Sequence, residues 1–141
     1  MDFEEYRARY YTAPQPEQRF PFAGVRGATL YYQDYAAALA FFRQVFGGPA
    51  YVEGEFTHGW CIGESWLTVF PAKSGRPDNL EVPIYLQTPE AVDALYAVFI
   101  EAGATGDPPQ DTLMYVPVRM TVVNDPFGVM FTLVGEYPQE D

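Results

Sequence analysis

The pattern of hydrophobic and polar positions occurs twice along the chain. An aromatic, strand-like segment begins at Tyr31, and a matching segment begins at Tyr85, 54 positions later. Each segment ends in glutamine and a helix-capping residue, and is followed by apolar residues at helical spacing and then by glycine. The paired positions are Gln33 and Gln87, Asp34 and Thr88, Phe41 and Leu95, Phe42 and Tyr96, Val45 and Phe99, and Phe46 and Ile100. A repeat of this size indicates two copies of one supersecondary unit that share a core.

The first copy predicts one strand, one helix and three further strands. Asp34 is placed to cap the helix, which is expected to continue to about Phe46 and to end at Gly47. The predicted strands, which are rich in aromatic and β-branched residues, are Ala28–Tyr32, Ala50–Glu53, Phe56–Ile62 and Trp66–Phe70.

The second copy predicts the same order of elements. Thr88, Pro89 and Glu90 form a strong helix start, and Gly103 is a stop signal. Pro83 predicts an edge position or a bulge for the strand that precedes this helix. The expected strands are Val82–Gln87, Arg119–Asn124 and Val129–Gly135, and the polar segment Gly106–Thr112 is expected to be a loop.

These elements predict an α+β fold built from two paired βαβββ modules, residues 25–73 and 81–134, within one domain of residues 25–135. The two sheets are expected to form a curved cup, with the helices on its outer face and a cavity on its concave face. Residues 1–24 are expected to form a short helix, Asp2–Tyr11, and a proline-rich arm. Residues 74–79 connect the modules, and residues 136–141 form a tail.

Composition and charge narrow the range of partners. A net charge of −11 disfavours nucleic acid and anionic membranes, both of which need a basic surface. No apolar run is long enough to span a bilayer or to act as a signal peptide, so we expect a cytoplasmic protein. The single cysteine, Cys61, excludes an internal disulfide. Aromatic residues make up 17% of the chain. Most of them are expected in the core, and the excess of tyrosine and tryptophan also suits the wall of a cavity.

Two segments resemble the vicinal oxygen chelate superfamily, which includes glyoxalase I, the extradiol dioxygenases and the bleomycin-resistance proteins. The opening segment is Tyr32-Gln33-Asp34 with the helix Ala38–Phe42 and Val45-Phe46-Gly47, and the closing segment is Asp125-Pro126-Phe127-Gly128 with the strand Met130–Leu133. The resemblance covers roughly residues 25–135. It implies paired βαβββ modules, a homodimer and, in the family's enzymes, one divalent metal inside the cup.

The metal ligands that this resemblance implies are missing from the sequence. The four ligand positions fall on Gly27, Thr68, Val82 and Thr132, where the family normally has histidine, glutamine or glutamate. Glycine and valine offer no donor atom, and neutral hydroxyls are poor ligands by themselves. A shift of one residue would replace Val82 by Glu81, but one carboxylate does not complete a site. We therefore expect no metal and no other cofactor.

Two further residues carry reactive groups. His58 has a pKa suited to a general base, yet no partner is visible in the sequence, so we expect a histidine at the surface or at a strand edge. Cys61 lies between Trp60 and Ile62 and is expected to be a small buried hydrophobic residue. Strand alternation places His58 and Cys61 on opposite faces, which argues against a Cys–His pair.

The candidate cup residues follow from alternation along the last strand of each module. Trp66, Thr68 and Phe70 share one face, as do Met130 and Thr132 on the equivalent strand. These side chains either line a ligand cavity or fill a core. Arg119 is placed to pair with a carboxylate of a ligand or of the protein. The complete set of candidate ligand-binding residues is Tyr31, Trp66, Thr68, Phe70, Tyr115, Arg119, Met130 and Thr132.

The sequence supports three classes of function. The first is a metal-free binding protein for a small aromatic or cationic organic molecule. The second is an enzyme, either a metal-dependent lyase or dioxygenase of the same superfamily with displaced ligands or a metal-free isomerase that uses His58 or a carboxylate. The third is a structural or regulatory module that acts through its dimer surface. Of the three, we expect binding without catalysis. The sequence does not decide whether the cup forms within one chain or across a homodimer.

Overall fold

Three helices and nine strands make up the part of the chain that the computed structural model describes, namely residues 1–18, 27–72, 80–114 and 116–140. The helices are α1 (Phe3–Tyr10), α2 (Tyr35–Phe46) and α3 (Pro89–Glu101). The strands are β1 (Gly27–Tyr32), β2 (Tyr51–Glu53), β3 (Thr57–Ile62), β4 (Ser65–Pro71), β5 (Glu81–Leu86), β6 (Thr105–Gly106), β7 (Gln110–Met114), β8 (Val116–Asn124) and β9 (Met130–Glu136). The predicted connection between the modules, residues 74–79, lies outside the described residues.

The strands form two mixed sheets. The first sheet has the order β1-β4-β3-β2, and β1 runs parallel to β4. The second has the order β5-β9-β8-β6, with β7 also pairing with β8, and β5 runs parallel to β9. In both sheets the first strand of the module lies at an edge and pairs with the last strand. Pro83 therefore lies in an edge strand, as predicted, which is where proline is tolerated within a sheet.

The internal repeat is confirmed by the backbone. Strands β1 and β5 begin at Gly27 and Glu81, which are 54 positions apart, and helices α2 and α3 begin at Tyr35 and Pro89 with the same separation. The Asp34 carboxylate accepts a hydrogen bond from the Ala37 N–H at 3.1 Å. The Thr88 hydroxyl accepts a hydrogen bond from the Ala91 N–H in the same way at the start of α3. The predicted α+β fold of two repeated modules is thus confirmed, and the second module has one short strand more than the predicted βαβββ order.

One core joins the two modules. The ring of Phe42, on α2, lies 5.6 Å from that of Trp60 in the first sheet and 6.1 Å from that of Phe131 in the second. Phe99, on α3, contacts Phe131 as well, at 5.5 Å. Each such side chain stabilises the fold by about 1.5–3 kcal/mol when it is fully buried. The side chains of α2 therefore hold the helix-side faces of both sheets together.

The prediction of a loop at Gly106–Thr112 is wrong for much of this segment. Its C-terminal half belongs to β7, where Gln110 pairs with Met120 and Thr112 with Val118. The free edge of β8 offers a row of backbone donors and acceptors, and pairing with it outweighs the polar composition of the segment. Only the residues around Pro108 and Pro109 remain without regular structure.

The N-terminal helix forms where it was predicted, and it packs differently from the other two. Asp2 caps α1 through a reciprocal pair of hydrogen bonds with Glu5. None of its residues is buried. No helix in the described ranges is long and apolar enough to cross a membrane.

Candidate functional site

Alternation along the strands gives each sheet an outward face, the face that points away from the shared core. On β1, Leu30 and Tyr32 are buried in the core, whereas Tyr31 is 54% exposed. On β4, Leu67 and Val69 are buried, whereas Trp66 is 43% exposed. Tyr31, Trp66, Thr68 and Phe70 therefore share the outward face of the first sheet, as the spacing predicted. The alternative of a filled core does not hold for Tyr31 and Trp66.

The exposed rings of the first sheet lie in two pairs. Tyr31 stacks on Phe70, with ring centroids 5.6 Å apart and an angle of 25° between the planes. Trp66 meets Tyr51, a residue of β2, edge to face at 6.2 Å. The indole also covers Gly59, because a Cβ atom at that position would lie 3.3 Å from a ring carbon of Trp66. Contacts of this kind hold rings in defined positions at a surface.

Two hydroxyl groups lie beside the ring pairs. Thr29 of β1 is the strand partner of Thr68 of β4, and Tyr31 is the partner of Phe70 two positions further on. Thr68 in turn pairs with Gly59, the residue that the Trp66 indole covers and the strand partner of Tyr51. The two threonines therefore have one aromatic pair beyond them along the strands and the other beside them across the sheet.

The second sheet has an equivalent face in its register, but that face is largely covered, because Thr132, Val134 and Val118 on it are buried. Met130 pairs with Glu81 in the register that Trp66 has with Gly27, and Thr132 occupies the place of Thr68. The Thr132 hydroxyl donates a hydrogen bond to the Glu81 carboxylate. Tyr85 occupies the place of Tyr31 and is 52% exposed. Thr132 itself is buried, and Met130 is partly exposed.

The metal-ligand position that the sequence assigned to Val82 belongs to Glu81 instead. Val82 points into the core and is only 8% exposed, so Glu81 is the residue that reaches the outward face. The sequence allowed either residue, since adjacent strand positions face opposite sides. Tertiary packing decides between them, because the valine belongs in the core and the carboxylate does not.

The four positions do not fit a metal ion. Gly27 has no side chain, and a Cβ atom built there would lie 2.3 Å from the carbonyl oxygen of Trp66. Thr68 and Thr132 offer neutral hydroxyls, and Glu81 offers the only carboxylate of the set. Across the described ranges, no three histidine, cysteine, aspartate or glutamate side chains come together in a way that could hold a metal. Divalent ions need several anionic or imidazole donors.

His58 is buried, contrary to the predicted surface position. It lies on the core-side face of β3 and is 6% exposed. Its Nδ1 lies 2.7 Å from the Tyr35 hydroxyl, which donates its own proton to the carbonyl oxygen of Val69 at 2.8 Å. The Tyr35 hydroxyl has one proton, which it donates to Val69, so the hydrogen of the bond between Tyr35 and His58 must be carried by Nδ1. Burial and the nearby Arg43 lower the pKa of His58.

Cys61 is exposed, so its predicted burial is also wrong. It lies on the outward face of the first sheet, as the strand partner of Trp66. His58 lies on the opposite face of the same strand, which confirms that the two residues do not form a catalytic pair.

The Arg119 side chain does not reach the outward faces. It forms two hydrogen bonds with the Asp93 carboxylate of α3, at 2.7 and 2.9 Å, and one with Asp111 at 3.2 Å. These contacts hold it on the helix side of β8. Of the two partners predicted for Arg119, the structure therefore gives a carboxylate of the protein. Tyr115 lies outside the residues whose side chains are described.

The outward faces are acidic. Glu53, next to Tyr51 on β2, accepts a hydrogen bond from the Tyr51 hydroxyl at 2.6 Å, and this bond raises the pKa of Tyr51. Glu81 lies on the second sheet. Arg119 is the only arginine on the described strands, and it lies on the helix side of β8; Arg7 and Arg9 belong to α1 and Arg43 to α2. Within the described strands, these faces therefore combine aromatic rings, hydroxyls and carboxylates without a cation.

Sequence reasoning missed several residues of these faces, for different reasons. Thr29 has the same parity as Tyr31, so its position could have been read from alternation. Tyr51 and Glu53 could not, because their place depends on how a three-residue strand pairs with β3.

The family model for the Glyoxalase/Bleomycin resistance protein/Dioxygenase superfamily matches residues 24–133. The chain belongs to this superfamily. The resemblance seen in the opening and closing segments is confirmed, and the family assignment accounts for the repeated module. No curated protein matches the sequence.

Solved structures of superfamily members share the fold. A glyoxalase/bleomycin resistance protein/dioxygenase family enzyme from Burkholderia phytofirmans PsJN is 24% identical, with a TM-score of 0.62, over 82% of this chain and 100% of that one. A glyoxalase/bleomycin resistance protein from Albidiferax ferrireducens T118 is 16% identical, with a TM-score of 0.67, over 79% and 98%. A lactoylglutathione lyase from Agrobacterium tumefaciens is 18% identical, with a TM-score of 0.61, over 82% and 96%. At these identities the likeness establishes the fold alone.

Proposed function

We propose that this superfamily member binds a small aromatic or cationic organic molecule, without a metal and without changing it chemically. The observation that carries the proposal is the outward face of the first sheet, where aromatic rings are exposed and ordered by contacts with one another. Exposed rings of this kind are costly in water, which is typical of a surface that a ligand or partner covers. The outward faces of the described strands carry carboxylates and no cationic side chain, and this favours a cationic ligand.

We also propose that the cup forms between two copies of the chain. Strands β1 and β5 each pair with one neighbour, and no described strand pairs with their other edges. An unpaired apolar edge favours association with another strand. A homodimer in which the β1 edge of one copy lies beside the β5 edge of the other would bring the aromatic face of the first sheet next to Glu81.

Calorimetric titration against a panel of planar cations, neutral aromatics and anions tests the binding proposal. We expect planar cations to bind and aromatic anions not to bind. Light scattering of the same samples should give twice the mass of one chain. Failure to bind any member of the panel, in a protein that is folded, would rule out the binding proposal.

The position of Glu81 favours a second candidate function, that of an enzyme. Glu81 occupies a ligand position of the superfamily and faces outward, so a lyase or dioxygenase with displaced ligands would have one anionic donor there. Metal analysis of the purified protein separates the two functions. Stoichiometric zinc, nickel, manganese or iron that is lost in the variant Glu81→Gln would favour the enzyme.

A further inference from the structure

We propose that β2 pairs with the β2 strand of a second copy of this chain, antiparallel and about a twofold axis at Val52. We name this contact the β2 pair. Strand β2 lies at the edge of the first sheet, and among the described strands only β3 pairs with it. The proposal does not depend on ligand binding, and it concerns a different edge from the β1 and β5 edges of the proposed homodimer.

Large apolar side chains are concentrated at this edge. Val52 is 56% exposed and Tyr51 48%, and Phe56, which lies in the turn to β3, is 61% exposed. β-Branched and aromatic residues on an edge strand favour the addition of a further strand. Residues 51–56 contain no proline or lysine, the residues that often block such an addition.

The internal repeat shows that this apolar edge belongs to the first module alone. Thr105 and Gly106 of β6 stand 54 positions after Tyr51 and Val52, and they pair with β8 as β2 pairs with β3. The second module thus has a hydroxyl and a glycine where the first has two large apolar side chains. Because both modules have the same fold, the fold itself does not explain the apolar side chains of β2.

The sequence of β2 is complementary to itself in antiparallel register. Val52 is the strand partner of His58 and shares its helix-side face, whereas Tyr51 and Glu53 point outward. Pairing about Val52 places the two valines opposite each other and Tyr51 of each copy opposite Glu53 of the other. Within one chain, the Tyr51 hydroxyl already donates to the Glu53 carboxylate at 2.6 Å. The contact is therefore isologous, and no carboxylate lies directly opposite another.

The outward side chains of β2 are ordered before the contact forms. The Tyr51 ring meets Trp66 edge to face at 6.2 Å, and its hydroxyl is held by Glu53, so pairing costs little side-chain entropy. A strand of three residues buries little area, so the association is weak and increases with concentration. Salt should strengthen it, because salt screens the repulsion between two chains of net charge −11.

Sedimentation velocity of the full chain, at several concentrations and at low and high salt, measures the association. We expect the wild-type mass to increase with concentration, and more steeply at high salt. Val52→Asp should lower the association constant about 10-fold, since two carboxylates would oppose each other at the axis. Val98→Asp is the matched control, because Val98 is an exposed valine on α3, and this variant should associate as wild type does. Equal behaviour of the two variants, or a wild-type mass that does not change with concentration, would overturn the β2 pair.

Disulfide trapping tests the register. In a Cys61→Ser background, Val52→Cys should form a covalent dimer under mild oxidation. The Cα atoms of residues paired in antiparallel strands lie about 4.5–5.5 Å apart, which is within the range for a disulfide. Val98→Cys should remain a single chain under the same conditions. Tyr51→Cys and Glu53→Cys should crosslink when they are mixed and not when each is oxidised alone.

The outcomes separate this proposal from the proposed function. Absence of the Val52→Cys crosslink, or a Tyr51→Cys crosslink as strong as that of the mixture, would contradict the antiparallel register and overturn the β2 pair. The mass that remains in Val52→Asp reports the dimer through β1 and β5, so the two associations fail separately. Val52→Asp should bind the ligand panel as wild type does, so loss of the β2 pair leaves the binding proposal unchanged.

Discussion

The Tyr32 hydroxyl donates a hydrogen bond of 2.8 Å to the Asp125 carboxylate, although the two residues are 93 positions apart. Tyr32 ends β1 of the first module, and Asp125 begins the turn between β8 and β9 of the second. The carboxylate also accepts the N–H groups of Phe127 and Val129, both at 2.9 Å. Burial still raises the pKa of Asp125, so the three donors only partly offset the loss of water. This bond ties the modules together through a polar group inside the core.

Replacing Tyr32 by phenylalanine should therefore lower stability. The change leaves a buried carboxylate one donor short, which costs about 1–3 kcal/mol in free energy of unfolding. Urea unfolding monitored by circular dichroism measures the effect. The matched control is Tyr31→Phe, which removes a hydroxyl from an exposed neighbour and should change the free energy of unfolding by less than about 0.5 kcal/mol. Equal effects at the two positions would show that the Tyr32–Asp125 bond adds nothing to stability.

A second prediction concerns pH and His58. The folded protein lowers the pKa of this imidazole, mainly through burial, so the unfolded chain takes up the proton first as the pH falls. The stability that His58 contributes is thus fully present above its unfolded pKa of about 6.5 and is lost as the pH falls through the lower, folded value. Charging the ring would also place a cation near Arg43 on α2.

The variant His58→Gln isolates this contribution. Carboxylates titrate in both proteins and largely cancel, so the stability difference between wild type and variant should be smaller at pH 5 than at pH 7.5. Thermal melts across that range measure it. Tyr35→Phe is the control, because it removes the hydrogen-bond partner and keeps the titrating ring. Parallel pH profiles for wild type and His58→Gln would contradict the assignment.

A third prediction follows from the close approach of β9 to the start of α3. A Cβ atom at Gly135 would lie 2.6 Å from the carbonyl oxygen of Thr88 and 2.7 Å from the Cα of Pro89. Because both are backbone atoms, Gly135→Ala would force the helix away from the sheet, at a cost of about 1–3 kcal/mol. Gly48→Ala is the control, since a Cβ there meets nothing within 4 Å. Equal melting temperatures for the two variants would show that α3 moves freely.

Much of the fold could be predicted from the sequence because local signals agreed with the tertiary structure. Asp34 and Thr88 marked the helix starts, and the 54-residue repeat set the order of elements. The errors arose where pairing or packing decides. Strand β7 forms because β8 offers an edge, and His58 is buried because Tyr35 lies within hydrogen-bonding distance, neither of which leaves a local signal.

The candidate site was predictable to a similar extent. Alternation correctly placed Trp66, Thr68 and Phe70 on one face, because β4 is a regular strand. It could not choose between Glu81 and Val82, nor show that Cys61 is exposed beside Trp66. Arg119 was ambiguous for another reason: a guanidinium pairs with any carboxylate within reach, and Asp93 on α3 is brought near only by the fold.

The last prediction concerns metal ions. Gly27, Thr68, Glu81 and Thr132 present one carboxylate and two hydroxyls, and the Glu81 carboxylate already accepts a hydrogen bond from Thr132. Because so few anionic donors give weak binding, excess Zn²⁺, Ni²⁺, Mn²⁺ or Fe²⁺ should leave the melting temperature unchanged, and so should a chelator. Thermal melts with elemental analysis of the purified protein measure both. A stabilisation by one ion that disappears in Glu81→Gln would contradict this prediction and would place a metal at the outward face of the second sheet.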